Sequence, residues 1–196
     1  PASNPIRNMH YPGAGVGGHC LPKDGWLLKY GLDAFGRFKF FPRIIISTRE
    51  VNDFMPMHVA DLVEEALAEH GKKLKGSKIA ILGVAFLENC DDTRNTPSAT
   101  IYKELKKRGA KPVLHDPLVR DFDLPFTKNL DEAIMNADAV VLSTKHKEYM
   151  QLDLKSLRNK LATPILIDGR NAYDMDAAAK AGLTYRGIGK GRRSTQ

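Results

Sequence analysis

The sequence predicts an α/β fold in which a long amphipathic helix precedes a doubly wound parallel sheet. Two observations predict it. After residue 76, short apolar segments alternate with stretches of helical periodicity, which is typical of parallel sheets built from strand–helix units. Before that point, apolar residues recur at helical spacing from Thr48 to about His70, and Gly71 follows as a stop signal. The chain therefore divides into residues 1–75, a sheet domain over residues 76–190 and a basic tail over residues 191–196.

The first elements in the chain are a loop and a helix. Residues 1–25 are rich in Gly and Pro and show no periodicity, so we expect a loop that leads into a helix. In the long helix that begins near Thr48, Pro56 is a candidate kink. A helix with such an apolar stripe needs a partner surface, which another subunit could supply.

Five short apolar segments have the character of buried strands: Lys78–Val84, Lys111–His115, Ala139–Thr144, Ile165–Asp168 and Leu183–Arg186. Four helical stretches accompany them, at Ser98–Arg108, Leu130–Asn136, Leu154–Leu161 and Met175–Ala181. Parallel sheets of this type bind ligands at the carboxyl ends of their strands. The expected ligand-binding loops are therefore Gly83–Thr96, His115–Pro117, Ser143–His146 and Asp168–Asn171.

The composition excludes several classes of protein. The 196 residues are 42% hydrophobic and 27% charged, and no apolar run is long enough to cross a bilayer. The formal net charge of +7 is spread along the chain, which favours a solvated basic surface. A nucleic-acid-binding domain would rest on that charge alone, so we predict no nucleic-acid partner.

Two further features of the composition concern the compartment and the ends of the chain. Two cysteines do not make a disulfide framework, so a reducing cytoplasm is the expected location. The first residues carry neither an initiator Met nor a secretory signal pattern, and we interpret them as an internal cut in a longer chain.

Three glycines in the first loop match a dinucleotide-binding fingerprint. Gly13, Gly15 and Gly18 satisfy the pattern G-x-G-x-x-G, which needs a buried strand directly before it and a helix directly after it. The residues before the pattern, 7–12, do not resemble a buried strand, and Pro22 comes soon after the pattern ends. We therefore reject a Rossmann interpretation and predict a glycine-lined loop that a bulky ligand can approach closely.

The glycine loop ends on Cys20. Lys23 and Asp24 follow within one turn, and a cysteine near a cation and a helix N-terminus favours the thiolate. Such a group is a competent nucleophile toward a carbonyl carbon. The alternative is a buried, inert cysteine in a tight turn, and the spacing alone leaves both interpretations open.

Several blocks resemble the UDP-glucose/GDP-mannose dehydrogenase family, and they occur in the family's order. PGAGVGGHCLPKD is similar to its catalytic-cysteine loop, and KIAILGVAFLENCDDTRNTPS to the first strand and loop of its nucleotide-sugar domain. GAKPVLHDP, NADAVVLSTKH and ILIDGRN resemble later blocks. The resemblance implies NAD-dependent oxidation of a UDP-sugar C6 alcohol to a carboxylate, through a cysteine thiohemiacetal and thioester.

The resemblance also implies roles for individual residues. Cys20 would be the nucleophile, Asp24 would assist the hydrolytic water, and Lys23 would lie near the cofactor. Substrate contacts would come from Arg7, Tyr11, Gly17, Gly18, Phe86 and Arg170. Arg7 would extend into the site of a partner subunit. An Arg near a diphosphate is physically sensible, because its planar fork fits phosphate oxygens.

The family's architecture implies how this chain would fit into a longer protein. An N-terminal Rossmann domain binds NAD, a central helical domain forms a homodimer, and a C-terminal Rossmann-like domain binds UDP. This chain would contain the end of the central region and the whole UDP-binding domain. NAD would be bound mainly by a domain outside it, so the fragment alone is expected to be inactive.

Two residues bear on how far the resemblance extends. Many family members have Lys where this chain has Leu87, which weakens that substrate contact unless Arg170 and Arg94 compensate, or indicates a different substrate or a less active enzyme. A UDP-sugar-binding and dimerisation module without catalysis is the alternative function. The run containing His19 resembles the UDP-N-acetylhexosamine branch, such as UDP-N-acetylmannosamine dehydrogenase. The alternative is that His19 only packs within the loop.

Two acidic positions at strand ends have simpler explanations than a metal site. Asp91 and Asp92, with Arg94, more closely resemble a hydrogen-bonded loop than a cation site that lacks a third ligand. Asp116, which precedes a proline, is explained by a turn. We predict no metal site.

Overall fold

Two helices precede a six-stranded sheet in the computed structural model, which describes residues 11–37 and 40–190. The first, α1, spans Leu21–Phe35, and the second, α2, spans Arg43–Glu69. Pro56 lies inside α2, and the helix continues through it. The long helix predicted from Thr48 is therefore present, and it begins earlier, at Arg43.

The remaining elements alternate as the sequence predicts. The strands are β1 (Lys78–Leu82), β2 (Lys111–His115), β3 (Phe126–Thr127), β4 (Ala139–Leu142), β5 (Ile165–Asp168) and β6 (Thr184–Gly187). The helices between them are α3 (Pro97–Lys107), α4 (Leu130–Ile134), α5 (Lys147–Met150), α6 (Leu154–Lys160) and α7 (Met175–Lys180). Only β3 and α5 were not anticipated, because elements of two and four residues are too short to show periodicity.

All neighbouring strands pair in parallel, in the order β3-β2-β1-β4-β5-β6. The predicted α/β fold is thus confirmed. The chain direction across the sheet reverses between β1 and β4, where ligands bind in open parallel sheets. This reversal places the loops after β1 and β4 side by side at the carboxyl edge.

Apolar clusters cover both faces of the sheet. One contains the second half of α2, with Val59, Val63 and Leu67 packed around Ile79 and Ile81. The other contains residues from α4, α6 and α7 packed on the opposite face. The apolar stripe of α2 therefore covers the sheet of its own chain, which leaves only the first half of the helix for another partner.

Ion pairs fix the same half of α2 to the sheet domain. Arg108, which follows α3, pairs with Asp61 at 2.6 Å and with Glu64 at 3.1 Å. Arg186 on β6 pairs with Glu69 at the end of α2. Ion pairs that share partners in a network contribute more to stability than isolated surface pairs.

No helix in the part of the chain that the structure describes is long and apolar enough to span a membrane.

Candidate functional site

The glycine loop crosses the carboxyl edge of the sheet. Near its start, the amide of Ala14 donates to the carbonyl of Gly169, just after β5, at 2.8 Å. Near its end, the amide of Gly18 donates to the carbonyl of Arg94 at 2.8 Å, and Asn95 Nδ2 donates to the carbonyl of Gly18 at 2.9 Å. The loop therefore joins the end of β5 to the segment after β1.

Two glycines are required where this loop meets the segment after β1. A Cβ atom on Gly17 would lie 2.5 Å from the carbonyl oxygen of Asn95 and 2.9 Å from Phe86 Cβ. Gly18 has a φ of +90°, and a Cβ atom there would meet the Phe86 ring at 3.0 Å. Phe86 and Asn95 therefore occupy the space next to these two glycines on the side of the segment after β1, and ligand contacts at Gly17 and Gly18 stay a prediction.

Helix α2 supports the loop from the opposite side. Asn52 Oδ1 accepts a hydrogen bond from the Val16 amide at 2.9 Å, and Arg49 Nη2 donates to the Val16 carbonyl at 3.5 Å. The loop is thus held between α2 and the sheet edge. Its backbone is positioned before any ligand binds, which lowers the cost of ordering it on binding.

A cleft of about 580 Å³ lies beside the loop, at the reversal point of the sheet. Its lining comes from the glycine loop and from the loops after β1, β4 and β5: Tyr11, Pro12, Gly15, Val16, Gly17, Phe86, Leu87, Glu88, Thr144, Lys145, Arg170 and Asn171. Four predicted contacts, Tyr11, Gly17, Phe86 and Arg170, therefore meet in one cleft. Gly18 lies outside this lining, and Arg7 lies outside the described residues.

The cleft lining carries two cationic side chains and one carboxylate. Arg170 and Lys145 are the cations, and Glu88 is the carboxylate. Arg170 Nε donates to the carbonyl of Ser143 at 2.6 Å. Burial lowers the pKa of Arg170, while the charges of Glu88 and Asp168 partly oppose this. A partly buried guanidinium beside an exposed ammonium favours an anionic ligand.

Asp168 positions the backbone that carries Arg170. It is fully buried at the end of β5. One carboxylate oxygen accepts from the amide of Arg170 at 2.9 Å, and the other from the amides of Ala172 at 2.7 Å and Tyr173 at 2.8 Å. Sequence analysis placed Lys145 and Asn171 in two of the expected ligand-binding loops but gave neither a role, because the blocks that contain them imply a substrate contact only for Arg170.

Asp116 does more than form the predicted turn. One oxygen accepts from the amides of Leu118 at 2.9 Å and Val119 at 3.0 Å, which is a turn interaction. The other accepts from the amides of Val84 at 2.7 Å and Ala85 at 3.0 Å, and lies 3.0 Å from His146 Nε2. Burial opposes ionisation, yet the hydrogen bonds from His146 and the amides hold the pKa of Asp116 well below its usual range.

Cys20 lies at the N-terminus of α1 and is exposed. Its carbonyl accepts from the amides of Lys23 at 3.0 Å and Asp24 at 2.9 Å. The alternative of a buried thiol is therefore wrong, and the reactivity of Cys20 stays a prediction. Lys23 Nζ lies 2.5 Å from Asp24 Oδ1, and this hydrogen bond raises the pKa of Lys23, with weaker contributions from the charges of Asp24 and Cys20.

The acidic loop after β1 is an ion-paired loop, as predicted. Arg94 Nη2 lies 2.5 Å from Asp92 Oδ2, and the Arg94 amide donates to Asp92 Oδ1 at 3.0 Å. Over residues 11–37 and 40–190, no group of three His, Cys, Asp or Glu side chains is placed to hold a metal ion. His19 is exposed, which does not fit a packing role in the loop.

Comparison with known proteins matches two domain models of one family. The UDP-binding domain of the UDP-glucose/GDP-mannose dehydrogenase family matches residues 80–175, and the central domain of that family matches residues 2–54. The two matched regions correspond to the sheet domain and to the glycine loop with the first half of α2.

Individual relatives extend over almost the whole chain. A UDP-N-acetyl-D-mannosamine dehydrogenase of Pyrococcus horikoshii is 36% identical over 96% of this chain and 42% of its own length. A UDP-glucose 6-dehydrogenase of Rhizobium meliloti is 34% identical over 92% of this chain and 41% of its own length. The chain thus spans about two fifths of the curated relatives that it matches.

A solved structure has the same architecture. The NDP-N-acetyl-D-galactosaminuronic acid dehydrogenase of Methanosarcina mazei matches with a TM-score of 0.87 and 40% identity. The match covers 93% of this chain and 40% of that protein. The arrangement of the glycine loop, α2 and the sheet is therefore shared with a crystal structure.

Proposed function

The chain belongs to the UDP-glucose/GDP-mannose dehydrogenase family, and on that basis we propose that it is the C-terminal part of an NAD-dependent nucleotide-sugar 6-dehydrogenase. The proposed reaction oxidises the C6 alcohol of a UDP-sugar to a carboxylate. One observation carries the proposal: the loop that lines the cleft at the sheet reversal ends on an exposed cysteine at a helix N-terminus.

The cleft is the proposed site for the nucleotide. Arg170 and Lys145 would bind the diphosphate, because both are cations in the lining and a diphosphate carries more than one negative charge. Phe86 and Tyr11 add aromatic surface that suits a base or a sugar ring. Gly17 would bring the sugar past the loop backbone toward Cys20.

The proposed chemistry of the chain centres on the Cys20 thiolate. It attacks the C6 aldehyde carbon, forming a C–S bond, and the carbonyl oxygen takes up a proton to give a thiohemiacetal. Loss of a hydride from C6 to NAD and of a proton from the hydroxyl would give a thioester, a second two-electron oxidation after that of the alcohol to the aldehyde. Water would then cleave the thioester to the carboxylate and the free thiol. Cys20 lies at the N-terminus of α1, and Asp24 in the first turn of that helix would orient the water.

NAD, which would accept the hydrides, does not fit the sheet domain. The segment after β1 lacks the glycine spacing of a dinucleotide site, and α3 begins only at Pro97, so its N-terminus is separated from β1 by a long loop. We propose that a domain outside this chain binds NAD, with Lys23 as the contribution of the described residues.

The first half of α2 supports a homodimer. Ile44, Val51 and Phe54 are 84%, 64% and 55% exposed and lie along one stripe of the helix. An exposed apolar stripe on a helix favours association with another surface.

Cys20 and Cys90 are both free thiols, which fits a reducing cytoplasm.

A second candidate is a UDP-sugar-binding and dimerisation module without catalysis. Leu87 lines the cleft with half of its side chain exposed, where a cation would assist an anionic substrate. Combining the chain with an intact N-terminal domain and following NADH absorbance separates the two candidates. Turnover in the combined protein would exclude a pure binding module.

Isothermal titration calorimetry with UDP tests the shared part of both candidates. We expect saturable binding of UDP, with weaker binding of uridine, which lacks the diphosphate. A thermal-shift panel of UDP-glucose, UDP-N-acetylglucosamine, UDP-N-acetylmannosamine and GDP-mannose then identifies the sugar. An absence of heat and of thermal shift with every ligand would contradict the proposal.

A further inference from the structure

The segment 84–89 lines the cleft and is held at both of its ends. At its start, the amides of Val84 and Ala85 donate to one oxygen of Asp116 at 2.7 Å and 3.0 Å. At its end, the amide of Asn89 donates to Nδ1 of His146 at 2.9 Å. The residues between these ends, Phe86, Leu87 and Glu88, face the cleft.

The two anchors are joined to each other. His146 Nε2 lies 3.0 Å from the same oxygen of Asp116 that holds the start of the segment, and both side chains are fully buried. Because Nδ1 accepts a hydrogen bond from the Asn89 amide, the imidazole N–H is on Nε2, and that nitrogen donates to Asp116. The carboxylate and the imidazole therefore form one unit beneath the cleft segment.

The far end of the segment needs this support. Asn89 has a φ of 57°, a left-handed conformation that is uncommon outside glycine and that Asn adopts more readily than most residues. Asn89 Oδ1 also accepts from the amide of Lys147 at 3.0 Å. Both the backbone and the side chain of Asn89 are therefore hydrogen-bonded to the start of α5. Loss of the bond to Nδ1 would leave the Asn89 amide at this left-handed turn without its acceptor.

We propose that His146 is a positioning residue that holds the cleft segment in its ligand-binding conformation by accepting the Asn89 amide. His146 itself is buried and does not line the cleft. Its effect on affinity comes from preorganisation, since a segment that is free before binding must be ordered on binding. The inference rests on the proposed function only in that the ligand used to measure it is UDP.

Two substitutions separate the two hydrogen bonds of the imidazole. In His146→Asn, the amide oxygen can lie near the position of Nδ1 and accept from Asn89, while the donation to Asp116 is lost. In His146→Gln, the longer side chain can donate to Asp116 from near the position of Nε2, while the acceptor for Asn89 is lost. Both variants remove the ring, so any general loss of packing is common to them.

We expect UDP affinity, measured by calorimetry, to fall roughly tenfold in His146→Gln, the equivalent of one hydrogen bond, and by less than about threefold in His146→Asn. Amide hydrogen exchange of residues 86–89 should accelerate in His146→Gln alone. Equal affinities in both folded variants would overturn the inference, because a purely structural role predicts the same change for each.

Two further measurements keep this inference separate from the proposed function. If the wild-type chain binds no UDP, the proposed function fails, while hydrogen exchange still decides the role of His146. If neither variant folds, ¹⁵N NMR of the wild-type imidazole decides it. We expect a protonated Nε2 and an accepting Nδ1, and the opposite tautomer would overturn the inference.

Discussion

A Cβ atom added at Gly17 would lie 2.5 Å from the carbonyl oxygen of Asn95. Because that oxygen belongs to the backbone, a larger residue can be accommodated only if the glycine loop moves away from the segment after β1. We expect Gly17→Ala to lower the free energy of unfolding by roughly 1–3 kcal/mol and to weaken UDP binding. Urea denaturation and calorimetry measure the two effects.

Gly31 provides the matched control for this change. It lies inside α1, and a Cβ atom there would meet nothing within 4 Å. Gly31→Ala should therefore be neutral or stabilise the chain by about 0.5–1 kcal/mol, because alanine favours the helix. Similar losses in both variants would show that the contact with Asn95 is not what requires glycine at position 17.

Arg170 should be the main determinant of diphosphate affinity. Its Nε is held by the carbonyl of Ser143 at 2.6 Å, so the fork is oriented before the ligand arrives. We expect Arg170→Lys to weaken UDP binding by roughly tenfold or more, since lysine keeps the charge and loses the fork. Calorimetry with UDP and with uridine should show that the loss is confined to the ligand with phosphates.

Lys155 offers a control for charge on the whole protein. It is exposed on α6 and does not line the cleft. Lys155→Gln removes a full positive charge, whereas Arg170→Lys removes none. UDP affinity should nevertheless hardly change in Lys155→Gln. A similar loss in both variants would instead indicate that net charge, and not the Arg170 fork, determines affinity.

Asp116 should make stability depend on pH. Its pKa is depressed in the folded chain, so the ionised carboxylate stabilises the fold at pH values above the ordinary aspartate pKa. That contribution is lost as the pH falls through the depressed value. We expect Asp116→Asn to lower the free energy of unfolding at pH 7 by about 3 kcal/mol or more, and by progressively less below about pH 4.

Urea denaturation across this pH range measures the effect, and Asp123→Asn is its control. Asp123 is exposed, so its substitution should change stability by no more than about 0.5 kcal/mol at any pH. A loss in Asp116→Asn that stays constant down to acidic pH would mean that the ionised form is not what stabilises the fold.

The sheet could be predicted from sequence because its strands are local apolar runs. Segments such as Ile165–Asp168 are buried on both faces, and burial on both faces requires continuous apolar sequence. Element types, their order and the parallel pairing therefore followed from the pattern. The strand β3 did not, because its position depends on pairing with Leu114 and His115, which no local pattern of two residues can encode.

The site was predictable only where a motif reports on it. Cys20 and Arg170 were predicted because the family resemblance implies roles for them, whereas Lys145 lies in a similar block without an implied role. Lys145 lines the cleft because β1 and β4 pair across the reversal of the sheet. His146 was included in a ligand-edge loop, but its link to Asp116 joins residues 30 positions apart. Such contacts depend on tertiary structure and leave no periodic signal in the sequence.

The exposed stripe on α2 should determine the oligomeric state. We expect the chain to sediment as a dimer, and Val51→Glu to shift it toward a monomer, because a carboxylate would be buried in an apolar contact. Lys155→Glu is the control for an added negative charge elsewhere. A wild-type monomer, or an unchanged dimer in Val51→Glu, would contradict the proposed interface.

The reactivity of Cys20 should depend on whether a ligand carries a sugar. The thiol is exposed but lies outside the cleft lining, so a ligand that fills only the cleft leaves it accessible. Cys90 is half-buried, and its Sγ donates to the carbonyl of Leu87 at 3.3 Å.

In a Cys90→Ser background, iodoacetamide should label Cys20 readily, as mass spectrometry would show. We expect a UDP-sugar of the binding panel to slow this labelling and UDP to leave it nearly unchanged. Equal labelling with and without the UDP-sugar would mean that the sugar does not reach the thiol, and would count against Cys20 as the nucleophile.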